Sequence, residues 1–139
     1  MKTFKFRLQK VLEYREAMEQ YAQNAYLDSR LARLEADAEL LNVDDKRKAM
    51  IAGTGNDLSE RLALEAKLIA LADEEREKQI VAHLLTAEEE KALQNWHEKK
   101  RELDALVKLR DRALEEYLLD GTRREQAELD EWAVLRRQA

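Results

Sequence analysis

His83 and His97 are the only histidines in the chain, and there is no cysteine. Two imidazoles fourteen residues apart, without a ligand-spaced neighbour, cannot assemble a zinc site, which takes three or four converging donors. The absence of cysteine also excludes disulfides and thiolate metal sites. Carboxylates are plentiful, notably in Asp73-Glu74-Glu75 and Glu88-Glu89-Glu90. Consecutive residues fan around a helix instead of converging. A catalytic carboxylate further requires a water-poor pocket to shift its pKa. Gly53-Thr54-Gly55 has neither the lysine nor the length of a phosphate-binding loop. These residues argue against an enzyme, and no catalytic, cofactor-binding or metal-binding residue is assigned.

The elements that carry these residues are long helices. Charged side chains make up 40% of the 139 residues and aromatics 6%, with no proline and three glycines. That makeup is typical of long helix or coiled coil rather than of a globular core. Leucines recur three and four apart, which favours order over disorder. Leu27, Leu31, Leu34, Ala38 and Leu41 step by four and three, as a heptad seam does. Phe4, Leu8, Val11, Met18 and Ala25 form a looser upstream seam out of phase with it, read as a local change in supercoil.

Two of the three glycines, Gly53 and Gly55, fall at one point, where left-handed backbone angles would end a helix cheaply. Asn56 or Asp57 then caps the next helix, with Glu60 placed to complete a capping box. In the second helix Leu64, Leu68 and Leu71 open a stripe, and Ile80 and Leu84 follow. Leu93, Trp96, Lys100, Leu103, Val107, Arg110, Leu114 and Tyr117 then alternate steps of three and four. Gly121 interrupts, and Thr122 with Glu125 reads as a capping box for a short last segment carrying Leu129, Trp132 and Leu135.

The expected fold is therefore all-α: a long two-helix antiparallel coiled-coil hairpin with a short C-terminal helical extension. Its parts are a helix over about 4–50, a turn over 51–57, a helix over about 58–120 and a tail over 121–139. A tight turn would make paired residue numbers add to roughly 109, with Trp96 beside Tyr14 and Leu71 near Ala38. Residues beyond about 107 would then have no partner, leaving Leu114, Tyr117, Leu118, Leu119 and Trp132 uncovered.

Charge is uneven. Residues 1–15 hold five bases and one acid, residues 97–112 six bases and four acids, and residues 57–90 ten acids and four bases. The net charge of −5 and the interleaved acids argue against nucleic acid as the partner. Phe4, Phe6 and Leu8 with their lysines could touch a membrane surface, but as seam-capping aromatics they need no membrane. Charges interrupt every apolar run, so no signal-peptide core and no membrane span is expected, and the chain reads as cytosolic. Trp132, near a free end, is a candidate hot spot for a protein partner.

At "FKFRLQKVLEYRE" and "ALQNWHEKKRELDALVKLRDRALEEYLLDGTRREQAELDEWAVLRR" the sequence resembles the FliJ family of flagellar type III export proteins. The likeness is carried by Trp96 with Glu98-Lys99-Lys100, by Leu103, Leu106 and Asp111-Arg112, and by Leu129-Asp130-Glu131 with Ala133. The resemblance implies a coiled-coil stalk peripherally associated with the cytoplasmic face of the inner membrane through the export apparatus. Its implied partners are the hexameric export ATPase, the cytosolic region of the export-gate membrane protein, and export chaperones. On that reading Arg7, Lys10, Arg15, Arg110, Arg112, Leu114, Tyr117 and Trp132 contact the ATPase. The family's gate-contacting positions map onto Leu41 and Leu71, although aromatic residues that some members carry nearby appear as Asp44 and Lys48. A virulence injectisome stalk and a generic cytosolic coiled-coil adaptor are the alternatives.

Overall fold

A computed structural model describes residues 3–138. It contains two helices, α1 (Gln9–Ala52) and α2 (Leu58–Gln138), and no strand among the described residues. The fold is the all-α helical hairpin expected. The chain divides into two compact units, Tyr21–His97 and Met1–Gln20 with Glu98–Ala139.

In the unit Tyr21–His97 the helices run antiparallel. Arg47 bonds Glu75, Arg33 bonds Glu89, and the rings of Tyr26 and Trp96 stack at 5.6 Å. The numbers in each of these pairs add to 122, not to 109. Trp96 thus meets Tyr26 instead of Tyr14, and Leu71 lies level with the end of α1 instead of with Ala38. The turn accounts for the difference. α2 begins about twelve residues, roughly 18 Å by helix rise, beyond the end of α1, a distance that the five non-helical residues between them can span.

Neither turn glycine has a positive φ, so the left-handed ending expected there is not used. The end of α1 is closed by Gly53 N–H on Ala49 C=O (3.0 Å) and by the Thr54 hydroxyl on Met50 C=O (2.6 Å). These bonds occupy carbonyls that a helix end leaves without partners. Gly55 is useful for its lack of a side chain, since a Cβ there would meet the Glu60 carboxylate. At the start of α2, Asp57 C=O accepts from Arg61 N–H at 3.0 Å, which makes Asp57 the residue preceding the first helical turn.

The shielded face of α1 is Leu12, Arg15, Glu19, Ala22, Tyr26, Ser29, Arg33, Ala36, Leu40, Val43, Arg47 and Met50, in unbroken steps of three and four that Leu8, in the turn just before the helix, extends. These are the a and d positions of a heptad repeat. Leu12 and Val43 are fully buried. The face of α2 that is shielded follows the same rule through Leu64, Leu68, Leu71, Glu75, Lys78, Ala82, Leu85, Glu89, Ala92, Trp96, Lys99, Leu103, Leu106, Arg110, Ala113 and Tyr117.

The leucine stripe read as the seam of α1 is not the seam. Leu27, Leu31, Leu34, Ala38 and Leu41 stand at the outer b and f positions and are exposed. That stripe is richer in leucine but only fifteen residues long. It runs out at Gln20 and Asn24 on one side and Asp45 and Lys48 on the other. The weaker a/d pattern persists along the whole helix, and burial favours the pattern that lasts. No change of supercoil is needed upstream, because Leu8 and Leu12 share the phase of Val43. In α2, Leu64, Leu68 and Leu71 face inward as expected, whereas Ile80 and Leu84 are exposed.

Arginine–glutamate pairs compensate for the seam's thin apolar content and fix its register. Arg33 donates to both Glu89 and Asp37, and the hydrogen bond to Glu89 is the main cause that holds the guanidinium's pKa above its ordinary value. A slip of one heptad would separate Arg33 from Glu89 and Arg47 from Glu75 together, leaving half-shielded charges without partners.

In the second unit, Arg15 bonds Glu102 at 2.6 Å and the rings of Phe4 and Tyr117 meet at 5.5 Å. Cover from the N-terminal segment therefore extends to Tyr117, ten residues further than a tight turn would allow. Thr3–Phe6 is non-helical, and Gln9 N–H on Phe6 C=O (3.1 Å) opens α1. α2 passes through Gly121 without a break. The Thr122 hydroxyl bonds Leu118 C=O one turn back at 3.0 Å, so it is a mid-helix residue and not the cap expected there.

Candidate functional site

The non-helical segment at the N-terminus is held by one aromatic anchor. Phe4 lies on Tyr117, the last a-position residue of α2 to be covered, so seam capping is what this phenylalanine does. Shallow grooves open on either side of the anchor. One, of about 790 Å³, is lined by Phe4, Lys5, Phe6, Arg7, Lys10, Arg110 and Leu114, with Gln9, Glu13 and Asp111 at its edges. Aromatic and leucine side chains supply apolar wall, and four basic residues surround it. The other, of about 680 Å³, is lined by Thr3, Phe4, Lys5, Ala113, Glu116, Tyr117, Asp120 and Arg124.

Arg7, Lys10, Arg110 and Leu114 are thus brought together in one groove. Arg7 and Lys10 are exposed, while Arg110 is half-buried and within 3.9 Å of Asp111. Three other expected residues are placed differently. Arg15 is committed to Glu102, and Lys99 approaches the same carboxylate at 3.7 Å. Arg112 is exposed and lines neither groove. Trp132 is exposed roughly 22 Å further along α2, judged by helix rise, with the Arg136 guanidinium 5.0 Å above its ring. From Thr122 to Gln138 every residue of α2 is exposed, including Leu129, Trp132, Val134 and Leu135.

Lys5 and Phe6 also line this groove, although their sequence context suggests a membrane contact or seam capping rather than a place beside Arg7 and Lys10. The signal was present in the alternating "FKF" of residues 4–6, which suits an extended segment with side chains on two faces. A helix drawn from Phe4 onward hides it, because helical spacing puts residues 4 and 6 on different faces.

The two residues mapped to gate contact, Leu41 and Leu71, are both in the unit Tyr21–His97, but in different settings. Leu41 is 67% exposed on the outer face of α1, whereas Leu71 is 5% exposed inside the seam. His83 and His97 are exposed, and His97 stacks on its neighbour Trp96 at 5.8 Å. Among the described residues no group of three or more His, Cys, Asp or Glu could hold a metal ion. No described helix is long and apolar enough to cross a membrane.

Compared with known proteins, residues 4–138 match the model of a protein family described as the flagellar FliJ protein. Neither the curated proteins nor the solved structures contain a match.

Proposed function

Because that match spans nearly the whole length, the chain belongs to the FliJ family, and we propose that it is the coiled-coil stalk of the flagellar export ATPase. Family membership makes it a component of the flagellar export apparatus. The more specific role rests on one observation. Within a single unit, a groove bordered by Lys5, Arg7, Lys10 and Arg110 lies on the helix that continues into an exposed, largely charged tail carrying Leu129, Trp132, Val134 and Leu135. A surface of that kind suits a ring whose inner wall is acidic and partly apolar.

In this reading Arg7, Lys10 and Arg110 steer the encounter, and Leu114 and Trp132 add apolar contact. Arg112 contributes charge from outside the groove. Arg15 and Tyr117 act indirectly, Arg15 by holding Glu102 and Tyr117 by seating Phe4. The gate contact is proposed at Leu41, while Leu71, buried in the seam near the end of α1, holds the hairpin together there rather than touching the gate. Export chaperones are proposed as further partners from family membership alone.

The test is a titration of this chain into the purified export ATPase of the same organism, following ring assembly by sedimentation and ATP hydrolysis together. Both should rise. Reversing Arg7 and Lys10 to glutamate should weaken binding most at low salt, as expected for exposed charges. Deletion of residues 122–139 should abolish the effect. An ATPase that assembles and turns over identically without this chain would refute the stalk reading.

A further inference from the structure

α1 carries two apolar faces, and α2 covers only one. The outer face consists of Leu27, Leu31, Leu34, Ala38 and Leu41, with the leucines 44%, 60%, 45% and 67% exposed. The four leucines expose roughly 400 Å² in all, a size at which an apolar patch on a monomer usually serves a contact. We propose that this face is also a docking surface for a second copy of this chain, crossing antiparallel about Leu34 and competing with the gate for Leu41.

The residues of the stripe select that occupant. The stripe is self-matching when reversed: Leu34 meets its own copy, Leu31 meets Ala38 of the partner subunit, and Leu27 meets Leu41 of the partner subunit. Large side chains at the ends and centre alternate with a large–small rung between them, as interdigitating layers require. In an antiparallel pair, flanking positions of the same kind face one another. The e-position residues then set Arg30 against Asp37 of the partner subunit, and by symmetry the same contact forms a second time. Arg30 is exposed, and Asp37 offers one carboxylate oxygen to Arg33 at 3.0 Å, leaving the other for Arg30.

Symmetry also carries a cost. At the c positions Glu35 faces Glu35 of the partner subunit beside the two-fold axis. That like-charge contact is peculiar to a second copy of this chain. With two such faces burying on the order of 1,000 Å², the dimer belongs among weak, transient interfaces. It should form at tens of micromolar.

The experiment is sedimentation equilibrium of the full chain from about 1 to 200 μM, a range that brackets weak association. The apparent mass should rise from 16.3 kDa toward twice that value. Leu34→Asp should remain monomeric with unchanged helix content by circular dichroism, since the side chain lies outside the seam. Glu35→Gln should tighten association several-fold by removing the self-repulsion. The chain has no cysteine of its own, so single cysteines report the register. Leu34→Cys should oxidise readily to a covalent dimer and Leu31→Cys should not. A monomer at every concentration overturns the proposal, as does a Glu35→Gln chain that associates no better than the parent. Equal cross-linking at positions 31 and 34 would indicate a parallel pair and also overturn it.

Discussion

Replacing one leucine at a time distinguishes the seam from the leucine-rich stripe that resembles it. Leu12 is fully buried, so Leu12→Ala removes apolar groups with no exposure to offset the loss. Buried Leu→Ala changes cost about 2–5 kcal/mol, and a two-helix seam that can partly close over the gap places this one near 3 kcal/mol. Val43, also fully buried, loses two methyl groups on change to alanine, about 2 kcal/mol. Leu31 is 60% exposed, and alanine is the better helix former, so Leu31→Ala should cost only about 0.5 kcal/mol. The assay is urea unfolding followed by circular dichroism, at about 2 μM so that weak self-association does not contribute. With an m-value near 2 kcal/mol/M, the midpoints should fall by about 1.5 M, 1 M and 0.25 M respectively. If Leu31→Ala proves as damaging as Leu12→Ala, α1 packs through its leucine stripe and the a/d register given above is wrong.

Three further outcomes follow from particular contacts. Gly121 is helical with nothing within 4 Å of a Cβ built on it, so Gly121→Ala should stabilise the last turns of α2 by up to about 1 kcal/mol. Slower amide exchange over residues 118–130 would show this, whereas a helix that broke at Gly121 would gain nothing. Arg47→Glu should lower stability by about 1 kcal/mol, and the exchanged pair Arg47→Glu with Glu75→Arg should recover part of that loss in a double-mutant cycle. Recovery would be incomplete because Asp44 also contacts Arg47. The Lys78 ammonium, bonded to Glu74 at 3.1 Å, holds the Glu74 carboxyl below its ordinary value of 4.5, with Lys46 assisting. A depressed carboxyl pKa contributes stability above pH 4.5 that is lost as pH falls through the lower folded-state value. Thermal midpoints at pH 7 and pH 3 should therefore differ less in Glu74→Gln than in the parent chain.

The hairpin itself was legible in the sequence because helix formers run unbroken on both sides of a single glycine-containing turn. The seam in α1 was harder to read. Arg15, Glu19, Ser29, Arg33 and Arg47 occupy a/d positions, and a search for leucines passes over them in favour of Leu27 to Leu41. These polar residues are acceptable there because several find partners on α2, a fact visible only once the register is known. The register in turn depends on the path of residues 53–57, which composition does not dictate. The basic and apolar groove was half legible. Charge and spacing point to Arg7, Lys10, Arg110 and Leu114, whereas Lys5 and Phe6 join them only through the extended path of the N-terminal segment. Thr122-x-x-Glu125 has the pattern of a capping box, but the helix continues through it, since nothing at Gly121 forces the backbone out of helical angles.

The stretch of α2 past Gly121 has every side chain exposed, so its order depends on backbone propensity and local pairs such as Gln126 with Asp130. Nucleation is already accomplished by the turns before it, and each added residue then gains or loses little on its own. Coil conformations therefore compete with helix there, increasingly toward the last turn. A partner that grips Trp132 as part of a helix selects only the molecules in which the helix has reached that far. Its apparent dissociation constant is the intrinsic one divided by that fraction. Temperature, helix-promoting co-solvent or a substitution remote from the contact would thus retune affinity without altering a single interfacial atom.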